Sequence, residues 1–132
     1  MGMIEIASAD GLRYGAYENA PQRPGRQRAG AVVVLQEIFG ANSHIRAICD
    51  RFAAHGFTPI APALFDRRVR NFESGYSAPE IDAAREIPLR IDWSLMLMDL
   101  QAAIDSAMES IDLCPVVTRR PRPPPVRSRR RR

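Results

Sequence analysis

Residues 31–40, AVVVLQEIFG, limit the possible folds more than any other stretch. Val32-Val33-Val34-Leu35 is an apolar run without alternation, the pattern of a strand buried on both faces. Strands of that kind belong to sheets covered by helices, so a helix and a second strand should follow. Both do. In SHIRAICDRFAAHG the apolar residues Ile45, Ile48, Cys49 and Phe52 recur at helical spacing; Asn42 or Ser43 can cap the start and Gly56 the end. FTPIAPALF then reads as a short strand whose prolines suit its ends better than its middle. The first run ends in Glu37, a carboxylate that costs free energy beside a buried strand unless something pairs with it.

The flanking segments extend this unit. MIEIASADGLRYGAYENAP predicts a hairpin, with Ile4 and Ile6 alternating about Glu5 and a turn at Asp10-Gly11. PQRPGRQRAG is a polar loop broken by Pro and Gly. Residues 66–91 are polar and irregular, with a short helix over Pro79–Ile87; the acidic residues at 66, 73, 80 and 82 have no metal-ligand pattern and read as a solvated face. DWSLMLMDLQAAIDSAMESI is the clearest helix, capped by Asp92. Trp93, Met96, Leu97, Leu100, Ile104, Ala107, Met108 and Ile111 form a stripe that should pack on a sheet, its methionines acting as core filler. A hairpin leading into βαβ units implies an α/β fold whose mixed sheet becomes mostly parallel. Ligands of such sheets bind beyond the carboxyl ends of the strands, which is where Glu37 sits.

Composition sets the remaining bounds. The 132 residues suit one small domain, and no apolar run approaches the roughly 20 residues of a membrane helix. The N-terminus lacks the pattern of a secretory signal, and Gly2 is not followed by Ser or Thr at position 6, so a cytoplasmic protein without a membrane partner is expected. All 19 basic residues are arginine. Residues 1–118 hold 11 of them against 15 acidic residues, a net charge of −4, while residues 119–132 carry +8. The body is therefore mildly acidic, and no specific nucleic-acid partner is expected. Cys49 and Cys114 have neither a disulfide framework nor metal-site spacing, and neither a metal nor a cofactor is expected.

VVVLQEIFGANSHIRAICDRFAAHGFTPIAPALFDR resembles the N-terminal half of the dienelactone hydrolase family, within the α/β-hydrolase fold. The resemblance rests on the QEIFG turn, the N-x-H-I-R helix start and P-x-LFDR after the next strand. RNFESGYS and DWSLMLMDLQAAID extend it, so that it covers roughly residues 3–111. It implies a hydrolase of small-molecule esters and lactones, typified by dienelactones from the breakdown of chlorinated aromatics. Such enzymes use a Cys-His-Asp triad, with the cysteine in a G-x-C-x-G nucleophile elbow. By position, Glu37 would be the partner of that thiol and the backbone N–H of Ile38 an oxyanion donor. A nearby carboxylate can govern when a thiol ionises, and N–H groups aimed at developing charge are worth several kcal/mol in a dry site.

The resemblance stops before the elbow. DLCPVVTRRPRPPPVRSRRRR contains no G-x-C-x-G or G-x-S-x-G. Cys114 precedes a proline and has no glycine neighbours to permit an elbow turn, and Cys49 lies on the buried stripe of a helix. His44, at a helix start, suits a local structural role; His55 suits a helix C-terminus. The triad is therefore absent, and the chain is expected to be inactive alone and to need a C-terminal half. Residues 1–113 are assigned to the partial hydrolase domain and 114–132 to a disordered Arg/Pro-rich tail. A lysine-free chain with 19 arginines suggests a G+C-rich gene, whose out-of-frame reading yields such runs, so a frameshift or sequencing error near codon 112 is expected. A competing reading makes the chain a non-catalytic interaction protein whose polycationic tail binds nucleic acid or anionic membrane. Four strands of a sheet that normally has eight should leave an open, aggregation-prone edge beside residues 31–35. Arg67, Arg85 and Arg90 lie where a substrate carboxylate could be held, but no motif selects among them.

Overall fold

The computed structural model describes residues 2–20 and 30–112. Cys114, the segment 114–132 and most of the loop over 21–30 lie outside the described residues. Strands β1 (Gly2–Ala7) and β2 (Arg13–Glu18) are followed by β3 (Ala31–Val33), α1 (Ser43–Ala54), β4 (Thr58–Pro62), α2 (Ala78–Glu86), a 3-10 turn (Pro88–Arg90) and α3 (Trp93–Asp112). The sheet runs β1-β2-β4-β3. Both the β1–β2 and β2–β4 pairs are antiparallel, and β3–β4 is parallel. The sheet is thus mixed, as the hairpin-then-βαβ order implies, and its parallel part is a single step. Among the described residues no helix is long and apolar enough to cross a membrane.

The helices cover opposite faces. On one, Ile45 and Cys49 of α1 pack with Tyr17, Val34 and Ala61; on the other, Ala103 and Ala107 of α3 pack with Ile6, Tyr14, Ala16 and Ile60. Ile60 and Ala61 are neighbours in β4 serving different layers, the period-two alternation of a strand. The Asn42 side chain caps α1 by accepting the Ile45 N–H at 3.2 Å. Gly56, at φ +93°, donates its N–H to Ala53 O just past the helix end.

All five residues of β4 are buried although two are proline. The Thr58 N–H meets Gly30 O, and Ile60 O accepts the Val34 N–H, so the even-numbered residues bond toward β3 and the odd ones toward β2. Pro59 therefore faces β2, one residue past the last pair, Glu18↔Ile60. Pro62 faces β3, beyond the last pair, Val33↔Ile60. Neither missing N–H interrupts a ladder.

Two expectations about burial are corrected. β3 is three residues long and half-buried, not buried on both faces, and Leu35 beyond it is 55% exposed. The cause is topological: β3 is the edge strand, paired only with β4 among the described residues. The α3 stripe is also rotated from its expected position. Its sheet-facing line is Met96, Asp99, Ala103 and Ala107, while Trp93, Leu97, Ile104 and Met108 are exposed by 63%, 61%, 38% and 53%.

A buried ion pair sets that rotation. Asp99, 1% exposed, accepts two hydrogen bonds from Arg67, each 2.7 Å, and its backbone carbonyl accepts one from the Tyr14 hydroxyl. Arg67 also grips Asp10 at 2.7 and 3.0 Å, so one guanidinium joins the hairpin turn, the segment after β4 and α3. Alanines 103 and 107 then let the helix approach the sheet closely.

Candidate active site

The candidate site is the turn that follows β3. After Val34, the Gln36 side chain accepts the Leu64 N–H at 2.9 Å, tying together the carboxyl ends of the two parallel strands. Its amide also donates to Glu37 O at 3.1 Å. The chain then reverses, with the Gly40 N–H donating to Glu37 O at 3.2 Å. Gly40 adopts φ +81°, and a Cβ there would lie 2.0 Å from Phe72 O. Glycine is thus required both by conformation and by the close approach of a second backbone.

That second backbone, residues 71–77, clasps the turn. The Ser74 N–H donates to Phe39 O at 3.0 Å, and Asn42 Nδ2 donates to the Tyr76 hydroxyl at 3.1 Å. The rings of Phe39 and Tyr76 lie 4.6 Å apart, tilted by 58°. Arg46 of α1 bonds Ala41 O and pairs with Glu73. Ser77 and Glu80 close the next helix start, with the Ser77 N–H on Glu80 Oε2 at 3.0 Å and the Gly75 N–H on Oε1 at 3.2 Å. These bonds, Ser77 first, hold the Glu80 carboxyl below its ordinary pKa. Asp66 is buried and accepts the N–H groups of Gly15 and Asn71 at 2.8 and 2.9 Å. Buried Asp66 is therefore a structural acceptor, which corrects the solvated face expected of it. Glu73, Glu80 and Asp82 are exposed as expected, although Glu73 and Glu80 also make the bonds just described and Asp82 lies 3.9 Å from Arg85.

Glu37 is exposed, and its carboxylate has no ion-pair or hydrogen-bond partner among the described residues. Ile38 is half-buried, and no acceptor for its backbone N–H occurs among them. The two stand at the carboxyl end of β3. The other groups weighed from the sequence are elsewhere. Cys49 is fully buried, and burial, with Asp50 adding to it, pushes its thiol up to about 11. His44 is exposed at the start of α1. His55 is the C-cap, its Nδ1 2.7 Å from Arg51 O. Arg67 is committed to Asp10 and Asp99, whose hydrogen bonds hold its pKa above the usual arginine value. Arg85 and Arg90 remain exposed. Gln36 and Gly40, both within the QEIFG turn, and the Arg46–Glu73 pair position the turn, and the sequence analysis assigned none of these bonds to them. The signal for Gly40 was its place after a strand and a charge; nothing local marked Glu73 as the partner of Arg46.

A hairpin running into a βαβ step, with helices on both faces and a turn exposed at the strand ends, defines an α/β fold of the hydrolase type. Solved structures agree. The chain superposes on a putative dienelactone hydrolase from Klebsiella pneumoniae with a TM-score of 0.61 at 27% identity, covering 83% of this chain and 45% of that one. The family model described as "Dienelactone hydrolase family" matches residues 15–115, and the chain belongs to that family. A putative carboxymethylenebutenolidase of Synechocystis is 44% identical over 73 residues, 55% of this chain and 30% of the relative. Carboxymethylenebutenolidase 1 of Cupriavidus pinatubonensis is 33% identical over 105 residues, 79% of this chain and 44% of the relative. The chain thus spans less than half the length of these relatives.

Proposed function

We propose that this chain carries one half of an ester- and lactone-hydrolysing site and is inactive by itself. In the complete reaction a cysteine thiolate attacks the carbonyl carbon. The carbonyl oxygen takes up negative charge, the alcohol leaves, and water then cleaves the thioester. The Ile38 N–H would donate to the oxyanion, and Glu37 would partner the thiol before attack. The substrate class follows from the family and from the lactone hydrolases its relatives are named for. The observation that carries the proposal is the turn itself: Glu37 and Ile38 lie at a strand end, in a backbone reversal fixed by Gly40 and the 71–77 clasp.

Inactivity rests on the nucleophile. No G-x-C-x-G or G-x-S-x-G occurs in the 132 residues, and Cys49 is both buried and poorly ionised at neutral pH. The test is turnover of an aryl acetate and of a simple unsaturated lactone by the purified chain at pH 7.5. The expected result is no rate above buffer, with Cys49→Ala and Cys114→Ala equally inert. Turnover abolished by Cys114→Ala would overturn the proposal.

A further inference from the structure

Of the eight glycines in the chain, only Gly11 follows an aspartate or an asparagine. An aspartyl-glycine step is open to attack of the chain on itself, because glycine has no side chain to shield its backbone nitrogen. In that reaction the Gly11 nitrogen gives up its proton and attacks Cγ of the neutral Asp10 carboxyl. A C–N bond forms, a C–O bond breaks, and the oxygen leaves as water, closing a succinimide ring. Water then opens the ring at either carbonyl. One opening restores aspartate. The other gives isoaspartate, whose main chain runs through Cβ and Cγ and is one atom longer. Water is the only co-reactant.

In the fold both reacting groups are tied down. The Gly11 N–H donates to Ser8 O at 3.0 Å, in a turn where Gly11 takes φ +89°. Asp10 Oδ2 accepts a hydrogen bond from Arg67 at 2.7 Å, and Oδ1 accepts from Arg67 at 3.0 Å and from the Leu12 N–H at 3.2 Å. Bonds from a guanidinium favour the ionised carboxylate, which cannot lose water. The Arg67 bond is the main cause of the low Asp10 pKa, about 2 against an ordinary 3.8. Arg67 is itself held from behind. Two 2.7 Å bonds seat it on the buried Asp99, and a third contact reaches Ser8 Oγ at 3.4 Å.

We propose that Asp10-Gly11 is a site of isoaspartate formation in this chain, and that Arg67, seated on Asp99, guards it in the folded state. The guard spans the molecule: β1 and β2 supply the reactive turn, the segment after β4 supplies the cation, and α3 supplies the cation's seat. Isomerisation is also self-sustaining. The isoaspartyl carboxylate hangs directly from Cα, and the added main-chain atom displaces the Gly11 N–H from Ser8 O. A chain that isomerises while unfolded therefore cannot rebuild the grip of Arg67.

Peptide mapping by mass spectrometry with electron-transfer fragmentation distinguishes the isomers at Asp10. The full 132-residue chain is aged at neutral pH, in buffer and in urea. Isoaspartate should accumulate in urea and at least about tenfold more slowly in buffer, since each pKa unit of depression removes about tenfold of the neutral carboxyl. Arg67→Lys keeps a charge for Asp99 but loses the fork that holds both Asp10 oxygens. It should isomerise in buffer several-fold faster than the parent, with unchanged far-UV circular dichroism. Arg13→Gln, which breaks the Arg13–Glu5 pair in the same hairpin, should not. If Arg67→Lys fails to fold, Asp10→Asn leaves the Arg67–Asp99 pair intact, and its conversion in buffer should approach that in urea. Equal rates for the parent in buffer and urea, or no isoaspartate at Asp10 in either, would overturn the proposal. So would a folded Arg67→Lys chain, or in its place a folded Asp10→Asn chain, as well protected as the parent.

Discussion

Gly40 and Cys49 show how much a single position decides. At Gly40 the positive φ and the approach of Phe72 O act together, so relief of one does not relieve the other. Gly40→Ala should lower stability by at least about 2 kcal/mol, read as a shift of the urea midpoint with unchanged slope. The glycine was visible in the sequence as a turn after a strand. The need for it was not, because Phe72 lies 32 positions away. Cys49 was legible as packing from helical spacing alone, and the structure adds the reason for its inertness. In a Cys114→Ser variant, a thiol reagent at pH 8 should leave the native protein unlabelled and take up one equivalent once urea is added. Labelling of the folded chain would contradict the burial of Cys49. The roles proposed for Glu37 and Ile38 come from resemblance to a family alone. No local pattern sets Glu37 apart from any other charge after an apolar run.

Elements were read correctly where their signals were local and incorrectly where a distant residue intervened. The caps of α1, the extent of α2 and the Asp92 start of α3, where Asp92 Oδ1 accepts the Ser94 N–H at 2.8 Å, all follow from neighbours in the chain. The rotation of α3 does not. The bulky line through Trp93 and Leu97 looks like a core stripe, yet the helix buries Ala103, Ala107 and an aspartate instead. Burial of Asp99 becomes affordable only through Arg67, 32 residues earlier. Asp99→Ala should therefore cost about 3–5 kcal/mol, because it leaves a largely buried guanidinium short of its partner. That is enough to unfold a domain of ordinary stability. Loss of the cooperative thermal transition is the readout.

The Asp10 arm of the same network responds to pH. The Arg67 hydrogen bond, more than any other contact, holds the Asp10 carboxyl down to about 2 from an ordinary 3.8. A carboxyl whose folded pKa is depressed stabilises the fold above its unfolded pKa, and that contribution is lost as pH falls toward the folded value. Stability attributable to Asp10 should thus decline between about pH 4 and pH 2. Asp10→Asn should flatten that part of the acid-denaturation curve, and an unchanged curve would mean that the pair contributes nothing in solution.

At the scale of the whole molecule, β4 organises everything else. It lies between β2 and β3, each of its residues is buried, and it sends Ile60 and Ala61 into different layers. In native-state hydrogen exchange the amides of Thr58, Ile60 and Ala61 should be the slowest, and those of β1 should exchange sooner. The reverse order would displace β4 from the centre of the fold. The α/β layering was legible because it depends only on the order of hydrophobic periods. The place of β3 at the edge of the sheet among the described residues was legible too, but its three-residue length was not. The Arg67 staple has a further consequence for how the chain is made. It joins positions 10, 67 and 99, so the amino-terminal hairpin has no locked seat until residue 99 has left the ribosome. The first 60 residues emerge as a provisional sheet, and the molecule commits to its shape only when α3 arrives.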